Sequence, residues 1–223
     1  MINFYKSVKT KKVHNPFFAQ HGIKVPFRML IAGSSSAGKT NFALNILKVV
    51  RNTFSHVIVV CKSKSEPLYE MLEHKLKDNV TFYEEGEIPD LKDFVSGDDE
   101  QTLIIFDDMV CADKKTNEKI GEWYIRSRKK GVSCIYISQS YYKTNKLIRQ
   151  NCSYIALRGI SSKRDLTAIL REYGLGIDAK KIVEVYKYAV AEPFSFLLID
   201  LDADDSKMFT QNFTVIPLSV EST

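Results

Sequence analysis

Long apolar runs are missing from this sequence. In its 223 residues no uninterrupted stretch approaches the roughly 20 needed to cross a bilayer as a helix. The opening, "MINFYKSVKTKK", carries charge but no apolar segment, so no secretory leader is expected. Cysteine is scarce. Cys61, Cys111, Cys134 and Cys152 lie far apart with no C-x-x-C pair, which argues against a disulfide framework or zinc ribbon and predicts free thiols. Cys61 and Cys134 fall in strand-like runs, where a reduced thiol behaves as a small hydrophobe. His14, His21, His56 and His74 are scattered without ligand spacing. Internal repeats and low-complexity blocks are absent as well, which removes solenoids and repeat arrays. These absences leave a globular chain expected to work in a reducing cytoplasm.

Charge is present but unevenly placed. The net charge is +5, and Lys6, Lys9, Lys11 and Lys12 supply most of it. Residues 84–108 hold ten acids against Lys92 alone, whereas 123–149 hold seven Lys or Arg and no acid. A solvated face explains most charge runs. Polyanion binding, however, depends on clustered rather than total positive charge, so 123–149 is a candidate surface.

Strand-like runs are expected over 27–32, 56–61, 79–83, 102–106, 133–138, 153–157 and 194–201. Most are continuous and β-branched, as buried parallel strands read. Helix-like stretches alternate with them at 39–50, 66–76, 115–130, 143–150, 162–173 and 178–190. Ser162 and Asp165 have capping-box spacing at the start of the fifth, and Gly174 and Gly176 would close it. Such alternation predicts an α/β domain with a mostly parallel central sheet and helices on both faces. The expected organisation is an N-terminal arm over 1–26, one α/β domain over 27–202, and an edge strand plus tail over 203–223.

"GSSSAGKT" fits G-x-x-x-x-G-K-[ST] between a predicted strand and a predicted helix. Glycines let backbone N–H groups turn inward around a phosphate, and the helix start adds its positive dipole end. The expected nucleotide-binding residues are Gly33, Ser34, Ser35, Ser36, Ala37, Gly38, Lys39, Thr40 and Asn41. Lys39 would reach the β- and γ-phosphates of ATP, and the Thr40 hydroxyl would ligate Mg²⁺.

A second magnesium anchor is needed at the end of a neighbouring strand, and "TLIIFDDM" offers Asp107. Asp108 follows it, at the position where additional-strand P-loop ATPases carry an acid that polarises the attacking water. That acid is usually Glu, and Asp is one methylene shorter. The strand "SCIYIS" ends at Gln139, whose amide can donate to a phosphate oxygen and accept from water, a sensor of the γ-phosphate. No N-K-x-D guanine motif and no Arg-rich lid appear, which disfavours a small GTPase and a nucleoside kinase.

"GSSSAGKTNFALNIL", "LIIFDDMV" and "RSRKKGVSCIYISQS" together resemble the FtsK–HerA superfamily of DNA-pumping ATPases. They are most similar to the poxvirus-type genome-packaging ATPases of large DNA viruses and virophages. The likeness spans roughly 25–160. It implies a RecA-like fold, a homo-oligomeric ring (pentamer or hexamer) around double-stranded DNA, and ATP between subunits. It also implies a capsid vertex or portal-like partner, and a place in the host cytoplasm at viral assembly sites or in the virion. In that family an arginine just upstream of the Gln-bearing strand acts in trans on the neighbour's γ-phosphate. Arg128 best matches it, with Arg126 the alternate. Lys129, Lys130, Lys143, Lys146 and Arg149 are the DNA-contact candidates, with 143–149 the preferred pore-facing element. Tyr141 and Tyr142 read as packing residues.

The resulting reading is a Mg²⁺-dependent ATPase that translocates double-stranded DNA into capsids. A P-loop kinase of a small molecule and a nucleotide-switched, non-enzymatic assembly protein are the rivals. DNA-stimulated ATPase activity eliminates the first; indifference to Asp108→Asn identifies the second. A helicase is a further rival, although no second RecA-like domain is expected in the remaining length.

Overall fold

The computed structural model describes residue 2 and residues 13–84, 87–92, 100–173 and 178–217. Lys6, Lys9, Lys11 and Lys12, the helix-closing Gly174 and Gly176, and the end of the tail lie outside the described residues. In chain order the elements are α1 (Phe18–His21), β1 (Arg28–Ala32), α2 (Lys39–Val49), β2 (His56–Val60), α3 (Pro67–Leu76) and β3 (Val80–Tyr83). Then come β4 (Thr102–Asp107), α4 (Lys114–Arg126), β5 (Val132–Ser138), α5 (Lys146–Gln150) and β6 (Tyr154–Leu157). The chain continues through α6 (Lys163–Tyr173), α7 (Ala179–Ala189), β7 (Leu197–Asp200), β8 (Phe209–Gln211) and β9 (Thr214–Val215).

The nine strands among the described residues join one sheet in the order β3-β2-β4-β5-β1-β6-β7-β8-β9. The first six are mutually parallel, and the last three add antiparallel at the β6 side. Alternation along each strand feeds two cores. On one face Met29, Ile31, Val57, Val59 and Ile105 pack under α2 and α3, through Phe42, Ile46, Tyr69 and Leu72. On the other, Leu30, Ile58, Ile104 and Tyr136 pack under α4 to α7, through Trp123, Ile148, Ile169 and Ile182. Helices therefore cover both faces, the RecA-like P-loop arrangement. Cys61, Cys134 and Cys152 are buried and Cys111 exposed, all as free thiols.

Two expected helices are shorter than their patterns. The stretch 115–130 is α-helical only to Arg126 and tightens into a 3₁₀ turn over Ser127–Lys130. The stretch 143–150 becomes helical only at Lys146, because the Thr144 hydroxyl donates to the Ser140 carbonyl at 2.8 Å and sits 2.9 Å from Ser138 Oγ. Such local side-chain bonds hold a segment out of helix. The capping box at Ser162 is half made: Asp165 N–H lies 3.4 Å from Ser162 Oγ. The Asp165 carboxylate instead turns away, accepting from Ser140 Oγ at 2.8 Å and Tyr142 N–H at 2.7 Å.

Candidate functional site

The glycine-serine loop leaves β1 at the edge where all six parallel strands end. Gly33 N–H donates to Ser138 O at 3.2 Å and Ser34 N–H to Gly159 O at 3.3 Å, so the loop is tied to the ends of β5 and β6. Gly33 is required by space: a Cβ there would stand 1.9 Å from the Arg158 carbonyl oxygen. Gly38 is required by conformation, with φ of +81°. The first intrahelical bond of α2 runs from Phe42 N–H to Gly38 O. The N–H groups of Lys39, Thr40 and Asn41 thus have no partner within the helix and gather positive potential at the loop. Lys39 folds back over the loop, its ammonium donating to Ser34 O at 2.8 Å. Burial lowers the Lys39 pKa, while the carboxylates of Asp107 and Asp108 pull it back up, so all three groups share one field. Thr40 is half-buried, and Ser35, Ser36 and Asn41 are exposed.

Strand register aligns the rest. Asp107 is level with Ile137 of β5, which is level with Ile31 of β1, so the acid pair stands opposite the loop across one intervening strand. Asp108 adopts a left-handed φ of +53°, which Asp tolerates better than most residues, and its N–H donates to Ile137 O at 3.1 Å. The two carboxylates meet different surroundings. Burial holds the Asp107 carboxyl above the usual aspartate range, and a short hydrogen bond from the Tyr69 hydroxyl, with Lys39 and Lys62 nearby, partly offsets it. Asp108 Oδ2 accepts from Gln139 Nε2 at 3.1 Å and lies 3.4 Å from Lys62 Nζ.

Tyr69 and Lys62 escaped the sequence reading. Tyr69 looks like one more core aromatic on α3, and nothing in "PLYEML" marks its hydroxyl as a carboxylate partner. Lys62 sits just past β2, and its relevance needs the knowledge that β2 borders β4.

The donors available for a magnesium ion are hard oxygens, the Thr40 hydroxyl and the Asp107 carboxylate. Among the described residues no group of three or more His, Cys, Asp or Glu could hold a metal. That fits magnesium, which usually takes one or two protein carboxylates and fills its shell with water and substrate phosphates.

Arg126 and Arg128 are not near this loop. They precede β5, at the opposite edge of the sheet, a seven-residue strand or about 23 Å from Gln139. Arg126 pairs with Glu122 at 3.6 Å, and Arg128 is exposed.

The cationic candidates divide. Lys129, Lys143 and Lys146 are exposed. The Lys130 ammonium donates to Leu91 O at 2.6 Å. Arg149 must be corrected as a DNA-contact candidate. It is 8% exposed, donates from Nε to Thr144 O at 3.1 Å, makes a short ion pair with Glu172, and stacks 5.0 Å from the Tyr141 ring centroid. It braces α5 against α6. Tyr141 is buried in the same network, donating to Glu172 Oε2 at 2.6 Å, whereas Tyr142 is 54% exposed.

Helix α6 sorts its charges by sign. Lys163, Arg164 and Arg171 share one face, while Asp165 and Glu172 lie on the other and are satisfied internally. With Tyr142 and Lys146 these cations line two adjoining clefts of about 700 and 430 Å³, the larger of which the Arg149–Glu172 pair also lines.

The family model described as "Poxvirus A32 protein" matches residues 14–193. No curated protein sequence matches the chain. Among solved structures, the genome packaging NTPase B204 from Sulfolobus turreted icosahedral virus 2, in complex with AMP, is similar at 15% identity. It aligns over 87% of this chain and 100% of its own, with a TM-score of 0.60. EssC (ATPases 2 and 3) from Geobacillus thermodenitrificans aligns at 8% identity over 86% of this chain and 40% of its own, TM-score 0.59. The pCW3 conjugation coupling protein TcpA with ATPγS aligns at 14% identity over 86% of this chain and 60% of its own, TM-score 0.56. At these identities the likeness is one of fold. No helix among the described residues is long and apolar enough to cross a membrane.

Proposed function

The chain belongs to the poxvirus A32 protein family, and we propose that it is a magnesium-dependent ATPase that drives double-stranded DNA into viral capsids. The observation that carries this reading is the meeting of Lys39, Asp107, Asp108 and Gln139 at one sheet edge, with Arg126 and Arg128 at the other. B204, a genome packaging NTPase by name, supports it through its shared fold.

In this reading the loop N–H groups and Lys39 hold the phosphates of ATP, and Thr40 and Asp107 hold Mg²⁺. The metal supplies charge neutralisation on the phosphate oxygens. Asp108 orients a water and takes its proton as the water oxygen bonds to the γ-phosphorus and the bond to the ADP oxygen breaks. General-base assistance of this kind contributes about 10²–10⁴ in rate. Gln139, already bonded to Asp108, senses whether the γ-phosphate is attached. Because Gln139 precedes Ser140 and Tyr142, which Asp165 clamps to α6, a change at Gln139 reaches the basic face of α6 through three residues.

Arg128 lies too far to serve its own loop and acts on a neighbour's, with Arg126 the alternate. An arginine finger is worth about 10³–10⁵ in turnover. That role requires a head-to-tail ring, pentameric or hexameric. DNA lies against Lys143, Lys146, Lys163, Arg164 and Arg171, held by phosphates rather than base edges, so that any sequence can pass. Lys129 and Lys130 are secondary candidates. A capsid vertex or portal-like protein receives the ring at assembly sites in the host cytoplasm.

The test is steady-state ATPase activity with and without duplex DNA for wild type, Lys39→Ala and Arg128→Ala, beside the mass of the assembly. DNA-stimulated turnover that both substitutions abolish, in an oligomer, is expected. A monomer whose turnover ignores DNA overturns the reading.

A further inference from the structure

We propose that Phe194 is the platform on which the base of the bound nucleotide stacks, an assignment that rests on the nucleotide-binding reading above. Phe194 sits in a turn from Glu192 to Ser195, closed by Ser195 N–H donating to Glu192 O at 3.2 Å. Pro193 takes the second position and Phe194 the third, with φ of +62°. This is the pattern of a type II turn, whose third position ordinarily takes Gly or Asn. A bulky aromatic residue there is strained.

Core packing does not explain the choice. Phe194 is 67% exposed, whereas Phe196, two residues on, is buried and stacks on Phe42 at 4.3 Å. The turn is nevertheless held firmly: Arg158 donates to the Glu192 carbonyl at 3.0 Å and also to that of Ser195, and Ser195 Oγ donates to Glu192 O at 2.9 Å. Arg158 is also the residue whose carbonyl crowds Gly33. One residue thus fixes both the start of the phosphate loop and the turn that carries Phe194.

Position supplies the ligand class. A Cβ added to Gly38 would meet Phe194 Cδ1 at 3.4 Å, so the ring lies against the end of the loop where α2 begins. In the sheet, β4 and its acids lie two strands from β1 on one side, and β7, which the turn leads into, lies two strands away on the other. A nucleotide whose γ-phosphate faces Asp108 and Gln139 therefore extends its sugar and base toward the Phe194 side. An exposed ring there offers a stacking face to any base, so it adds affinity without choosing between adenine and guanine.

The experiment measures binding to the full chain, with Mg²⁺, of ATP and of inorganic tripolyphosphate, for wild type, Phe194→Gly and Phe194→Trp. Phe194→Gly is expected to weaken ATP about tenfold or more while leaving tripolyphosphate within about twofold. Its melting temperature without nucleotide should not fall, because glycine accepts the left-handed turn. Phe194→Trp should bind ATP at least as well as wild type. The proposal is overturned if Phe194→Gly binds ATP normally, or if ATP and tripolyphosphate weaken together, which would make the ring a prop for the loop. Loss of oligomer mass with ATP binding intact also overturns it, assigning the ring to a neighbouring subunit. Wild type that binds neither ligand removes the nucleotide reading itself, and this inference with it.

Discussion

Gln139 donates from Nε2 to Asp108 Oδ2 across 3.1 Å, joining the tips of β5 and β4. The same oxygen lies 3.4 Å from the Lys62 ammonium. An acid proposed to take a proton from water is therefore tethered on one oxygen by an amide and a cation. Asp107, its neighbour in sequence, is buried and bonded to Tyr69. Two adjacent carboxylates have different environments because successive residues at a strand end point to opposite faces, and the left-handed Asp108 sharpens the divergence.

If Arg128 serves a neighbour, two inactive variants should repair one another. Mixing Lys39→Ala with Arg128→Ala subunits before assembly places an intact loop beside an intact arginine at about a quarter of random head-to-tail interfaces. DNA-stimulated turnover should recover toward that fraction. No recovery in mixed rings would remove the trans role.

Asp107→Asn should stabilise the protein while abolishing magnesium-dependent turnover. Burial raises the Asp107 pKa above its ordinary 3.8. Its protonated form is favoured in the fold, so its contribution to stability is present below that value and lost as pH rises through the raised one. At pH 7 the buried charge opposes folding, and Asn removes it. Melting temperatures from pH 4 to 7 should show the variant gaining on wild type as pH rises.

Replacing Lys163, Arg164 and Arg171 together with Ala should weaken duplex binding and flatten its salt dependence. The logarithmic slope should fall by roughly 0.9 for each cation that touched a phosphate. Anisotropy titrations with two unrelated duplexes should show the same loss for both, because backbone contacts carry no sequence information. An unchanged slope would place DNA elsewhere on the molecule.

Arg149→Ala should act on stability instead. Arg149 is buried while Glu172 still reaches solvent, so losing the guanidinium and its bonds to Glu172 and Thr144 O should cost about 1–3 kcal/mol. That corresponds to a fall in melting temperature of roughly 5 °C. Lys146→Ala, an exposed neighbour on the same helix, should shift melting by no more than about 2 °C. Thermal denaturation of the two side by side separates brace from surface.

Much of this was legible before any coordinates. Gly33, Gly38 and Lys39 mark the proposed phosphate loop, because few other functions need that spacing between strand and helix. Asp107 and Gln139 were readable as the ends of apolar runs. What stayed hidden depended on partners distant in sequence. Arg149 reads as one more cation after Gln139, and only the approach of Glu172 and Tyr141 makes it internal. Asp165 has the spacing of a helix cap, yet Ser140 and Tyr142 compete successfully for its carboxylate. Phe194 looks like a core aromatic beside Phe196 until the backbone shows a left-handed turn and an exposed ring.

The chain's own order of residues determined the parallel α/β class, the glycine-rich loop between strand and helix, and the acid-tipped strand, because backbone freedom and apolar periodicity act over a few residues. Tertiary structure alone decided strand order, and with it that Lys62 and Tyr69 join the acids, that Arg128 faces away, and that Phe194 flanks the loop. Those outcomes turn on contacts 30 to 160 residues apart, which local preference cannot encode.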